Sequence, residues 1–147
     1  MMPKKCAVII DDSLGSRAAL GQALKRFGFD VVGEGSSGSE AIRLAQALKP
    51  DVLFLAVGLP DLDGLTTAAQ ILETHALPII ILSSHLNPEV IQRAEVGVMA
   101  YLVKPLREEE LLPAIELAIS RFDEFTALQK ENAALKRALD GRKLIER

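Results

Sequence analysis

The pattern that most constrains this chain is a series of short, unbroken apolar runs separated by helix-sized segments. The runs are Cys6–Ile10, Val31–Val32, Val52–Val57, Ile79–Leu82 and Met99–Val103, most of them rich in Val, Ile and Leu. A strand with one wet face alternates apolar and polar residues. A strand covered on both faces reads as continuous hydrophobics, as in a parallel sheet between helical layers. The intervening segments have helical signals. Leu14–Phe27 carries Leu20, Leu24 and Phe27 at helical spacing and is closed by Gly28. Ser39–Leu48 has Ser39 as its expected N-cap and stops before Pro50. Leu65–Thr74 and Pro88–Glu95 fill the next two gaps, the latter capped by Asn87 with Pro88 in its first turn. The order β-α-β-α-β-α-β-α-β-α with right-handed crossovers predicts an α/β fold, a doubly wound five-stranded parallel sheet. In such folds the working site lies at the carboxyl ends of the strands, near the point where strand order reverses.

From Arg107 onward the pattern becomes one long helical run, with Pro113 tolerated in its first turns and Gly141 its only later breaker. The expected division is a domain over 1–120 and a C-terminal helix over 121–147. A net charge of −3 provides no global basic field to recruit nucleic acid or an anionic membrane. The single cysteine, Cys6, cannot form an internal disulfide and is expected to be a small buried apolar residue. No apolar stretch approaches the roughly 20 residues of a membrane span, and the charged start lacks the apolar region of a secretory signal. A cytoplasmic protein is expected.

Three polar features fall at strand ends: Asp11-Asp12 after the first, Ser83-Ser84 after the fourth and Lys104-Pro105 after the fifth. Each alone has a plain reading. The acidic pair could cap a helix, the serines could be turn residues, and the lysine could be a solvated turn. In this sheet order, however, all three converge. Two carboxylates, a hydroxyl and an ammonium around one pocket suit Mg²⁺ and a phosphoryl group, because Mg²⁺ takes few carboxylates and the other groups hold phosphoryl oxygens. His75 and His85 are expected at the surface, and the stretch GEGSSG at 33–38, which lacks a Walker lysine, reads as a loop.

Taken together, VIIDDS, DVLFLAVGLPDLDG, PIIILSSH and AYLVKPL resemble, in order and spacing over roughly residues 4–120, the receiver domain of bacterial two-component response regulators, a flavodoxin-like fold. The resemblance implies that Asp11, Asp12 and the backbone carbonyl of Gly58 are Mg²⁺ ligands. It makes Ser83 and Tyr101 the switch residues and Lys104 the phosphoryl-contacting lysine, with a cis bond before Pro105. It also implies a sensor histidine kinase or another signalling protein as partner. The departure is at position 56. Five residues before Asp61, where the family places its phosphate-accepting aspartate, stands Ala56. A methyl group has no nucleophilic oxygen, so phosphorylation there is chemically excluded. Asp51 precedes the strand, and Asp61 and Asp63 follow it in the loop, so on family geometry none replaces the missing carboxylate. Ala56 is either an engineered change in a complete receiver or the mark of a natural pseudo-receiver. The retention of Asp11, Asp12, Ser83 and Lys104 leans towards the first.

In the C-terminal run, a heptad with Phe125 at a places Leu128 at d, Asn132 at a, Leu135 at d and Leu139 at a. Glu131 at g faces Lys136 at the next e, and a single Asn at a specifies two strands. A parallel homodimer is expected from this seam. The competing reading is a helix that packs on its own domain or is simply solvated. The last residues, LKRALDGRKLIER, resemble the opening of the ANTAR output domain, an RNA-binding antitermination module most of which would lie beyond Arg147. The expected function is thus a non-enzymatic signalling and dimerisation module of an antitermination regulator, reaching RNA through that further domain. Its rivals are a phosphorylation-independent interaction module, the receiver of a DNA-binding regulator, and an unrelated doubly wound enzyme. A phosphatase would need a D-x-D nucleophile after the first strand, and a flavoprotein a phosphate-binding loop; neither is present.

Overall fold

The computed structural model describes residues 5–84 and 100–145, with side chains described as far as 139. Within them the chain runs β1 (Cys6–Ile10), α1 (Leu14–Arg26), β2 (Asp30–Gly35), α2 (Gly38–Leu48), β3 (Val52–Ala56), α3 (Gly64–Thr74), β4 (Ile79–Ser83), β5 (Ala100–Val103) and α4 (Glu108–Ile145). The strands form one sheet in the order β2-β1-β3-β4-β5, parallel throughout. This is the doubly wound, flavodoxin-like receiver fold, with a long C-terminal helix. The helix expected at Pro88–Glu95, its cap Asn87, His85 and Met99 lie outside the described residues.

Strands β3 and β4 are buried at every position and β1 at all but the first, whereas the edge strands β2 and β5 alternate. Burial on both faces therefore marks the three central strands, whereas burial alternates along the two edge strands, apolar though β5 is throughout. Alternate residues of the central strands feed two cores. Ala7, Ile9, Phe54, Ile80 and Leu82 pack with Leu20 and Leu24 of α1 and with Leu111 and Ile115 of α4. Val8, Ile10, Leu53, Leu55 and Ile81 pack with Ala41 and Ala45 of α2 and with Ala68 and Ile71 of α3.

Several local expectations need correction. Strand β2 is longer than Val31–Val32, and Gly33 to Gly35 belong to it rather than to a loop. A Cβ at Gly33 would meet Leu48 Cδ1 at 2.8 Å, so glycine there lets α2 close on the sheet. The N-cap of α2 is Ser37, not Ser39, because Ser37 Oγ accepts the Glu40 N–H at 3.2 Å. Cys6 is half-buried rather than buried, since it is the outermost residue of β1.

Helix α1 ends as the sequence suggests, with Gly28 at φ 86°. Helix α4 has 38 residues, a length of roughly 57 Å. It passes residue 120 without a break. Its sheet-facing residues are Leu111, Ile115 and Ala118, followed by the half-buried Ile119 and Phe122. Beyond that point it carries exposed side chains.

Candidate phosphoryl site at the strand ends

The sheet order reverses between β1 and β3, so the carboxyl ends of β1, β3, β4 and β5 stand side by side. Asp11 follows β1 directly and is buried, its side chain 1% exposed, whereas Asp12 points to solvent. Neither caps α1. That role falls to Ser13, whose hydroxyl accepts the Ser16 N–H, while Asp11 Oδ1 accepts the Ser13 N–H at 3.0 Å. The acidic pair is thereby left for other work. The guanidinium of Arg17, one turn into α1, donates to the Asp11 carbonyl and approaches Glu34 to 3.8 Å. Nothing in the sequence singled out Arg17, because its role depends on α1 folding back across β1.

Ser83 closes β4 and is buried, and its carbonyl accepts the Lys104 N–H at 2.7 Å. The Lys104–Pro105 peptide bond is cis. From the end of β5 the Lys104 side chain reaches past β4 and β3, and its Nζ lies 2.6 Å from Asp11 Oδ2. The contact is an ion pair, and among the described residues Asp11 Oδ2 has no further donor. Tyr101 is half-buried on the other face of the sheet, against the α2–α3 core.

Ala56 ends β3 opposite Leu82 and is 3% exposed, its methyl part of the α1–α4 core. The end of β3, between the ends of β1 and β4, is therefore apolar. The next residues turn sharply. Val57 O accepts from both Leu59 N and Gly64 N, leaving Gly58 on an exposed bend between them. Among the described residues no three acidic, histidine or cysteine side chains converge at one point.

Asp51 and Asp61 lie away from this centre. Asp51 Oδ2 accepts the Cys6 N–H at the opposite end of the sheet. Asp63 is the N-cap of α3 and accepts the Thr66 N–H. Asp61 Oδ1 accepts the Gly38 N–H, and its Oδ2 accepts from the amide and hydroxyl of Ser39. The Ser39 hydroxyl and these amides hold the Asp61 carboxyl well below the usual carboxylate range. An Asp61 staple between the β3–α3 loop and α2 was not legible from spacing.

The comparisons agree with this geometry. Residues 7–116 match the family described as the response regulator receiver domain. The chain is 41% identical over 147 residues to the transcriptional regulatory protein PdtaR of Mycobacterium tuberculosis, a match spanning 99% of this chain and 71% of that one. Among solved structures it resembles the signal receiver domain of a modulated diguanylate cyclase from Desulfovibrio desulfuricans, at TM-score 0.75 and 35% identity over 82% of this chain and 98% of that one. It also resembles a LuxR-family DNA-binding response regulator from Staphylococcus aureus, at TM-score 0.73 and 28% identity over 78% of this chain and 98% of that one. With the sheet order, the strand-end lysine and the buried aspartate all in register, the chain belongs to the response regulator receiver domain family.

Proposed function

We propose that this chain is the receiver and dimerisation module of a transcription antitermination regulator, and that as it stands it cannot accept a phosphoryl group. The observation that carries the reading is Ala56. It occupies the end of β3 between a buried aspartate and a strand-end lysine that already meet at 2.6 Å. Two-component chemistry needs a carboxylate oxygen at that point, and a methyl group supplies none. Asp61 and Asp63 are committed to helix starts and Asp51 to the far end of the sheet, so none of these three takes its place.

Asp11, Asp12 and the Gly58 carbonyl are the groups that would hold Mg²⁺. The buried Asp11 Oδ2, whose one partner among the described residues is the Lys104 ammonium, is an oxygen suited to that use. When bound, the ion would neutralise phosphoryl charge. Ser83 and Lys104 would contact the phosphoryl oxygens, and Tyr101 would report the change. A sensor histidine kinase or another signalling protein is the partner this pocket implies. Among the described residues no helix is long and apolar enough to cross a membrane, in keeping with a cytoplasmic role.

The output half of the proposal rests on the relative and on the tail. The 41% identical PdtaR is a transcriptional regulatory protein. The tail LKRALDGRKLIER resembles an ANTAR opening, which would reach RNA through a further domain. The stalk supplies the dimer, because Phe125, Leu128, Asn132, Leu135 and Leu139 are all exposed along it.

Incubation with acetyl phosphate and Mg²⁺ tests the reading. The chain should form no adduct detectable by mass spectrometry, and Ala56→Asp should form one that is acid-stable and base-labile. An adduct on the unaltered chain would defeat the proposal. Silence from Ala56→Asp would mean that the pocket has lost more than one carboxylate.

A further inference from the structure

We propose that Lys104 is an intramolecular rival of the divalent cation, so that metal ion and lysine occupy the Asp11 carboxylate in turn. The inference rests on Asp11 and Asp12 being the cation pair. It starts from how Asp11 is used. Its Oδ1 is taken by the Ser13 N–H and its carbonyl by Arg17. Its Oδ2 faces the Lys104 ammonium, with Nζ 2.6 Å away, and has no other partner among the described residues. An ammonium and a divalent ion drawn to the same buried oxygen repel each other, so each weakens the other's hold on it.

The lysine also has a way out. Its side chain is 20% exposed, while its backbone is fixed by the hydrogen bond from Lys104 N to Ser83 O. A flexible four-carbon stem can therefore swing to solvent without disturbing β5. Ala56 sharpens the rivalry. An aspartate at that position would offer the displaced ammonium a second carboxylate beside the first. With a methyl there, Lys104 has Asp11 or water. Weak metal binding by this chain thus has two separable causes: a missing ligand and a resident competitor.

Calorimetric titration with Mg²⁺ and Mn²⁺ of the unaltered chain, Lys104→Met and Lys104→Arg tests this. Lys104→Met should bind the cation about tenfold more tightly, within the usual range of coupling between two ligands. Lys104→Arg should stay within about twofold of the parent, since it keeps the charge. Equal or weaker binding by Lys104→Met would overturn the competition while leaving the acidic pair as the site. Absence of cation binding by all three proteins would overturn both. A second measurement avoids mutation altogether. Acetylation of Lys104 by acetic anhydride, mapped by mass spectrometry, should accelerate as Mg²⁺ is raised, and a rate indifferent to Mg²⁺ also overturns the proposal.

Discussion

Asp61 Oδ1 accepts the backbone N–H of Gly38 at 2.7 Å, which ties the loop after β3 to the first residue of α2. The same carboxylate takes the Ser39 amide and hydroxyl, so it satisfies donors that the start of a helix leaves without intrahelical partners. Asp61→Ala should lower the melting temperature at pH 7. The pH dependence follows from the sign of the shift. The folded-state carboxyl is held below its ordinary value of 3.8, so protons bind the unfolded chain more readily. Its contribution is complete above that value and drains away as pH falls below it towards the depressed folded value. The melting difference between parent and Asp61→Ala should therefore be constant from pH 7 to 5 and shrink below about pH 4. A difference that stayed level into strong acid would mean that the carboxylate's charge is irrelevant to the staple.

Gly64 opens α3 directly beneath the end of β3. A Cβ built there would overlap the carbonyl of Ala56 and lie 2.9 Å from Val57 Cα. Neither neighbour can yield, because both are backbone and Gly64 N is itself bonded to Val57 O at 2.8 Å. Gly64→Ala should cost about 2 kcal/mol or more in urea unfolding, as overpacking against a rigid wall does. Gly15 has open space around its Cβ position, so Gly15→Ala is the matched control. At the second position of α1 it should be neutral or slightly stabilising.

Ala56→Asp should lower stability in metal-free buffer and gain more from Mg²⁺ than the parent does. The position is 3% exposed and part of the α1–α4 core, so a carboxylate there is a polar group moved out of water beside Asp11. The cost should be about 1–3 kcal/mol without metal. A cation that collects all three carboxylates reverses the sign. Thermal melts of both proteins with and without Mg²⁺ decide it. A large Mg²⁺ stabilisation of the parent alone would contradict the ligand count.

Much of this was readable from sequence because it depends on local signals. Unbroken Val/Ile/Leu runs announced β1, β3 and β4, since burial on both faces leaves no polar position to blur the strand. The strand-end residues Asp11, Ser83 and Lys104 could be placed together once the sheet order was inferred, because topology alone decides which ends are neighbours. What escaped was set by side chains meeting across elements. Gly33 and Gly35 read as loop residues but are strand residues, paired with Val8 and Ile10 of β1 and packed closely under Leu48 and Glu40 of α2. Ser39 resembled a cap because it is a serine at the opening of the segment, but its amide and hydroxyl instead donate to Asp61, 22 residues away. Lys104 was assigned to a phosphoryl group, and only the folded chain shows that its ammonium already rests on Asp11.

The stalk is the feature whose consequence reaches furthest from the pocket. At about 100° per residue, Leu111, Ile115 and Ala118 share one line of α4, and that line is the one docked on the sheet. Phe125, Leu128, Asn132, Leu135 and Leu139 fall on a line about a quarter turn round the helix. A second helix could therefore lie along this seam without striking the receiver to which the first belongs. Leu117, 46% exposed where α4 still flanks the sheet, falls on the same line and extends it upward. Two heptads by themselves are marginal, because short isolated helices are unstable in water, so the receivers must add contacts. Leu135→Asp puts a charge at a central d position and should weaken a dimer by about 3 kcal/mol or more. Asn132→Leu should keep association but relax the choice of two strands, since an Asn at an a position specifies oligomer state at a cost in stability. Sedimentation of the three proteins at matched concentration separates the possibilities. A dimer unmoved by Leu135→Asp would place the contact on the receiver surface and leave the seam to solvent.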